Sequence, residues 1–201
     1  MKFSVSVTFM LGMIMLAIIM QGINRDGITT WMPSYISETF GIASKASILT
    51  GVALPIFSIV CYNLSIFINR KFLKNELSCA AFIFMICILS CGLMYAFGGK
   101  SPVLSIILLT LATGSMHGVN VILICIIPPY FRSTGRVSTV SGILNSCTYI
   151  GSAISIYGIA VITEKFGWNT TILLWTVVAI IGTVLCTTQI KKWNNFKSKQ
   201  L

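Results

Sequence analysis

Arg25 and Asp26 have more chemistry open to them than any other residues in this sequence, because of where they stand. They lie in Gln21-Gly22-Ile23-Asn24-Arg25-Asp26-Gly27, a polar segment inside an otherwise apolar stretch from about residue 9 to residue 36. A charge at bilayer depth costs roughly 2.5–3.5 kcal/mol on insertion scales. It therefore needs a partner, a water-filled cavity or an anionic ligand. Guanidinium stays charged and presents a planar fork that suits phosphate or carboxylate. Neighbouring residues on a helix point about 100° apart, which makes Asp26 a poor direct partner for Arg25. Two readings of the segment stand: an anion site on Arg25, or an Arg25–Asp26 pair held in structural bonds.

Further polar residues fall at helical spacing. His117 and Asn120 are three apart and share one helical face. Ser138, Ser141, Asn145, Thr148, Tyr149, Ser152 and Ser155 form one stripe. The stripe reads either as the wall of a water-filled path or as a helix–helix seam, since Gly142, Gly151 and the serines allow close backbone approach. Asn145 and Tyr149 suit the path and the serines suit the seam, because larger polar side chains are costlier to hide in lipid. Trp31 and Tyr35, four apart, read as an aromatic belt or outer gate. Pro33 stands between them as a site for a helix kink.

Other chemistry is poorly supplied. The seven cysteines include no CxxC and no Cys/His group at metal spacing, so neither a metal nor a cofactor is expected. Gly98-Gly99-Lys100-Ser101 resembles the end of a phosphate loop, but Met94 stands where its first glycine belongs. One histidine and four acids (Asp26, Glu38, Glu76, Glu164) leave little for acid–base catalysis, so an enzyme is not expected.

The elements that must position these residues follow from composition. Of 201 residues, 56% are apolar and 9% charged, against about 25% charged in soluble domains. Apolar runs long enough for a hydrocarbon core of about 30 Å occupy about 9–37, 46–68, 77–97, 103–127, 137–162 and 169–190. They are continuous rather than alternating, so helices are expected and a β-barrel is not. The fold class is all-α: a polytopic membrane protein of six transmembrane helices, 1–201 forming one bundle. The apolar run after Lys2 continues to Ile36 with no small-residue cleavage site, so it reads as a first span rather than a signal peptide.

Ten basic residues fall on one side of these spans: Lys2, Arg70, Lys71, Lys74, Arg132, Arg136, Lys191, Lys192, Lys197 and Lys199. Lys45, Lys100 and Lys165 fall on the other. The positive-inside bias then places both termini in the cytoplasm of a multi-pass cell-membrane protein. It also accounts for the net charge of +10. No nucleic-acid partner is expected, because the basic residues form no single stripe interleaved with aromatics.

The chain faintly repeats itself. Gly22-Ile23-Asn24 precedes Pro33 and Tyr35, and Gly118-Val119-Asn120 precedes Pro129 and Tyr130. Glycine to proline is eleven residues in both. Like features thus fall in spans one and four, as in a 3+3 inverted repeat with halves 1–100 and 101–201. Such repeats occur within each half of major facilitator transporters.

The segment from Gly22 to Ile36 resembles the seventh helix of the organophosphate:phosphate antiporters, the glycerol-phosphate and hexose-phosphate branch of the major facilitator superfamily. That helix reads Tyr-x-x-Arg-x-Gly-Ile-x-x-Trp-x-Pro-x-Tyr, and Arg25, Gly27, Ile28, Trp31, Pro33 and Tyr35 match in register. Gly135 to Trp168 is similar to the eleventh helix, through Gly142, Tyr149-Ile150-Gly151 and Phe166-Gly167-Trp168. The resemblance runs from the start of helix seven to the tail after helix twelve. It implies half of a twelve-helix fold, with Arg25 on the substrate phosphate and with His117 and Tyr149 at positions of cavity tyrosines. Two positions depart from the pattern. Gly22 replaces the first tyrosine, and Asn69-Arg70-Lys71 replaces a Ser-Asp-Lys in the 2–3 loop.

Two classes of function follow. One is a half-transporter for an organic anion such as a phosphate ester, with Arg25, His117, Asn120, Asn145 and Tyr149 as binding residues and Trp31, Pro33 and Tyr35 as gate or kink. Its partners would be that anion, the bilayer, and an N-terminal six-helix half or a second copy. The other is a six-helix membrane protein with no transport of its own, or a remnant of a split or truncated transporter gene. The first expects an incomplete chain, since Met1 stands just before helix seven. The topology is checked by single-cysteine labelling with a membrane-impermeant maleimide: Lys100→Cys and Lys165→Cys label from outside, Lys74→Cys and Lys197→Cys only after permeabilisation. The reverse pattern would invert the orientation.

Overall fold

A computed structural model describes residues 5–42 and 53–199. The start of the second apolar run, Lys2 and Lys45 lie outside them. The described chain is almost wholly helical, as a membrane demands of backbone that must bond to itself. Helix α1 is Val5–Phe40, α2 is Ala53–Ile68, α3 is Glu76–Phe97, α4 is Pro102–Asn120 and α5 is Val137–Lys197. Four of these stretches are long and apolar enough to cross a membrane: Val5–Phe40, Glu76–Lys100, Pro102–Thr134 and Val137–Lys197.

The joints follow from local chemistry. Asn75 caps α3, its side chain accepting from the Ser78 backbone N–H at 2.8 Å. Pro102 opens α4, where a missing N–H costs nothing. α4 does not run on to residue 127 as a regular helix. It ends at Asn120 and widens into a π-helical stretch, Val121–Ile126, before the 3₁₀ segment Pro128–Thr134. Pro128 and Pro129 have no N–H for the carbonyls one turn back, so regular α bonding fails there.

α5 is two helices run together. Gly167 (φ 76°, ψ 176°) breaks it with a backbone that favours glycine. The chain reverses at this residue. The hydroxyls of Thr163 and Thr171 meet at 2.9 Å, whereas eight residues of straight helix span about 12 Å. The expected loop over 163–168 is thus a single glycine.

α1 packs against α5 and α4, α3 against α5 and α4, and α2 against α4. Trp175, Trp193, Phe84 and Phe131 are fully buried between them. The closest approach is between α1 and the first half of α5. A Cβ on Gly22 would strike the Thr148 carbonyl, and one on Gly151 would strike the Ile19 carbonyl. Glycine lets the two backbones touch there.

The two ends of the bundle differ in charge. Lys192 lies over the Phe9 ring at 4.6 Å and Lys197 pairs with Glu76 at 2.7 Å. The start of α1, the start of α3 and the end of α5 therefore share one end. Trp168 donates to Glu38 at 2.9 Å at the other.

The α1–α5 crossing gives a stability prediction. Gly151→Ala overpacks it and should destabilise by about 1–3 kcal/mol, read as a lowered melting temperature in detergent. Gly142→Ala, with nothing within 4 Å of its Cβ, should leave the temperature unchanged. Equal melting of the two variants would refute the contact.

Candidate functional site

The polar segment of α1 divides between two faces. Gln21 and Asn24 point into the bundle and are fully buried. Gln21 Nε2 donates to the Met116 carbonyl at 3.2 Å, and its Oε1 accepts from Asn120 Nδ2 at 3.4 Å. Asn24 Nδ2 donates to the Trp175 carbonyl at 3.1 Å, while its Oδ1 has no partner. These two amides fasten α1 to α4 and to the second half of α5.

Arg25 and Asp26 lie on the other face, partly open. Arg25 Nε donates to Asp26 Oδ1 at 2.7 Å and Nη2 to Oδ2 at 2.8 Å. This corrects the expectation that the two diverge. The Cα–Cβ directions do diverge, but arginine's long arm folds back across the turn and closes the fork. The side chains keep 16% and 24% of their exposure, so water or a solute can reach the pair. The Ser152 hydroxyl lies within hydrogen-bonding reach of Asp26, and His117 lies within electrostatic range of both charges.

Three helices build this arrangement. α1 supplies the ion pair, the glycine seam brings Ser152 of α5 beside it, and α4 supplies His117. His117 also borders an open cavity of about 420 Å³, lined with Ser58, Ile59, Tyr62 and Asn63 of α2. A guanidinium engaged through Nε and Nη2 still has its Nη1–Nη2 edge, which can take a second anion bidentately. Among the described residues no group of three His, Cys, Asp or Glu side chains could hold a metal.

The other expected residues sit apart. Asn120 serves Gln21. Asn145 and Tyr149 are exposed, Tyr149 by 63%. The polar stripe of α5 divides: Ser155 donates to the Ile23 carbonyl at 2.9 Å within the seam, and Asn145 and Tyr149 face outward. Tyr35 is buried in an aromatic cluster, its ring centroid 5.4 Å from Trp168 and 6.3 Å from Phe40. Ten residues of helix put this cluster about 15 Å from Arg25. The Trp31 indole nitrogen is buried without a partner, and α1 runs unbroken through Pro33.

Sequence reasoning missed Glu76. Its carboxylate, 2% exposed, accepts from Tyr130 Oη at 2.7 Å, Trp193 Nε1 at 2.6 Å and Lys197 Nζ at 2.7 Å. The signal for it was present: an acid immediately after a cap asparagine, with basic and aromatic residues in the other segments of the same end.

No protein-family profile and no curated protein matches this sequence. The fold matches solved structures. One is the POT family transporter PepTSo, crystallised in meso, with a TM-score of 0.80 at 11% identity over 92% of this chain. The chain spans 38% of the length of that transporter. It therefore has a transporter-like fold of apolar helices, that of a multi-pass membrane protein.

The buried amides give the second stability prediction. Gln21→Leu removes the bond to the Met116 carbonyl, strands the Asn120 side-chain amide and should cost about 1–3 kcal/mol. Chemical unfolding in mixed micelles measures it. Stability equal to the parent would show that these bonds carry nothing.

Proposed function

We propose that this chain is one half of a secondary transporter of major facilitator type, working by alternating access on an organic anion such as a phosphate ester. The observation that carries the reading is the Arg25 fork, half-closed by Asp26, on a partly open face at the glycine crossing. Six spans in a 3+3 inverted arrangement suit the hairpin at Gly167, between spans five and six, and the bond between Gln21 and Asn120, which joins spans one and four. The likeness to a transporter that is longer than this chain supports a second bundle facing this one. That bundle is a matching six-helix half or a second copy, and it would cover His117, Asn145 and Tyr149. Clustering of the basic residues at one end supports cytoplasmic termini in the cell membrane.

Asp26 sets the resting state. It neutralises Arg25 while the site is empty, and an incoming phosphate takes the free Nη1–Nη2 edge or displaces the carboxylate. The closed pair itself favours one competing reading, a structural ion pair in a membrane protein without transport.

Titration of the purified chain with glycerol 3-phosphate separates the two. Arg25→Lys keeps the charge but loses the fork, and should weaken binding at least about tenfold, which is 1.4 kcal/mol. Arg25→Ala should abolish binding, and Asp26→Asn should strengthen it by removing the competing carboxylate. If Arg25→Lys binds like the parent while Asp26→Asn fails to fold, the pair is structural and the transport reading fails.

A further inference from the structure

A second basic site lies at the end of the bundle that carries Glu76, far from the Arg25 pair. A cleft of about 310 Å³ opens there between Asn69, Arg70, Lys74, Glu76, Ile126, Tyr130 and Lys197. Its inner wall is fixed. Glu76 holds Tyr130, Trp193 and Lys197 through three hydrogen bonds, and the Asn75 amide donates to Asn194 Oδ1 at 2.6 Å. Lys197 also donates to the Lys74 carbonyl at 3.0 Å and stands 5.0 Å over the Tyr130 ring.

Charge and hydrogen-bond supply in this cleft are unbalanced. Glu76 is the one acid lining it, and its bonds to Tyr130, Trp193 and Lys197 occupy both oxygens. Arg70 and Lys74 are exposed, and among the described residues neither forms an ion pair. Lys197, held by Glu76, the Lys74 carbonyl and Tyr130, adds its positive charge to those of Arg70 and Lys74. The Asn69 side chain is 5% exposed, and its amide nitrogen has no oxygen acceptor. The Cys79 thiol beside it is a weak acceptor at best. A solvated run of basic residues needs neither a fixed wall nor a buried amide without an oxygen acceptor, and this cleft has both.

The surroundings of the cleft suit a membrane boundary. Asn69–Leu73 is a π-helical turn continuing α2, and Lys74 ends it with φ 49°, a left-handed value uncommon for lysine. Phe72 on this turn is 65% exposed. Lys71 lies over both Phe67 and Phe72, at 5.3 and 5.7 Å. An exposed aromatic beside cations suits the boundary between acyl chains and headgroups. Basic pockets between membrane helices are suited to anionic headgroups.

We propose that this cleft binds a phosphate-bearing anion, held by Arg70, Lys74 and Lys197 against the Glu76-fixed wall. An anionic phospholipid headgroup and a soluble phosphate share that chemistry. Either one bridges the π-turn to the end of α5, and so ties α2 to the latch that α3, Tyr130 and α5 already form. The site is independent of the Arg25 reading, because no residue is shared.

The test is calorimetric titration of the purified, delipidated chain with dihexanoyl phosphatidylglycerol, dihexanoyl phosphatidylcholine and inorganic phosphate. Phosphatidylglycerol should bind at least about tenfold more tightly than phosphatidylcholine. The exposed-residue variant Arg70→Gln/Lys74→Gln should lose about 25-fold, from about fivefold per basic residue, with an unchanged melting temperature. Lys191→Gln/Lys192→Gln, at the same end outside the cleft, should lose less than about twofold. Loss of phosphatidylglycerol binding alone identifies a lipid headgroup, and parallel loss of phosphate binding identifies a soluble phosphate as sufficient. Unchanged binding in Arg70→Gln/Lys74→Gln, or an equal loss in Lys191→Gln/Lys192→Gln, overturns the proposal.

Discussion

Backbone contact between α1 and α5 at Gly22 and Gly151 sets the geometry on which the rest of the bundle depends. With no side chain between them, the two helices meet where α1 is most polar. The consequence is a sorting of polar groups by face. Gln21 and Asn24 turn inward, where backbone carbonyls of α4 and of the second half of α5 can accept from them. Arg25 and Asp26 turn toward the open side, where Ser152 is brought within reach. Gly27 extends the same logic by one turn, since a Cβ there would strike Ser155 Oγ and Ile159. One seam thus positions the ion pair and fastens the helix that carries it.

The two ends of the molecule solve their polar problems differently. At the Glu76 end a single carboxylate gathers three donors from two other segments, the link after α4 and the last turns of α5. Removing one partner from such a buried charged group is far more damaging than the pair's net contribution suggests. The cluster therefore specifies which segments meet more than it adds stability. At the other end the contacts are aromatic, with Tyr35, Phe40 and Trp168 packed edge to face. The single-residue reversal at Gly167 places Trp168 there, so the turn and the cluster depend on each other.

Much of this was legible in the sequence, for reasons that can be named. The apolar runs had to be helices because lipid offers the backbone no partners. Arg25 and Asp26 stood out because ionised groups in such runs are rare and costly. Their mutual bond was not legible, because Cβ directions say little about where a long arginine side chain ends. Gln21 was not separable from a cavity residue, since only the position of Met116 and Asn120 decides its role. The π-helical end of α4 had a visible cause in Pro128-Pro129, but the apolar run across it masked the change in bonding. Glu76 stood only as one of four acids, too few for acid–base catalysis. Its three donors come from positions 54 to 121 residues away, beyond any local pattern.

The Arg25–Asp26 bond also bears on how such a chain can exist with a polar face exposed. An unpaired arginine facing lipid would cost roughly 2.5–3.5 kcal/mol. Pairing with Asp26 removes the net charge while leaving the guanidinium one free edge. The bundle can thus be inserted and packed with that charge neutralised, and still keep a donor pair on its open side. A lysine in the same place would present one point donor, where the guanidinium bonds both Asp26 oxygens and keeps a second edge.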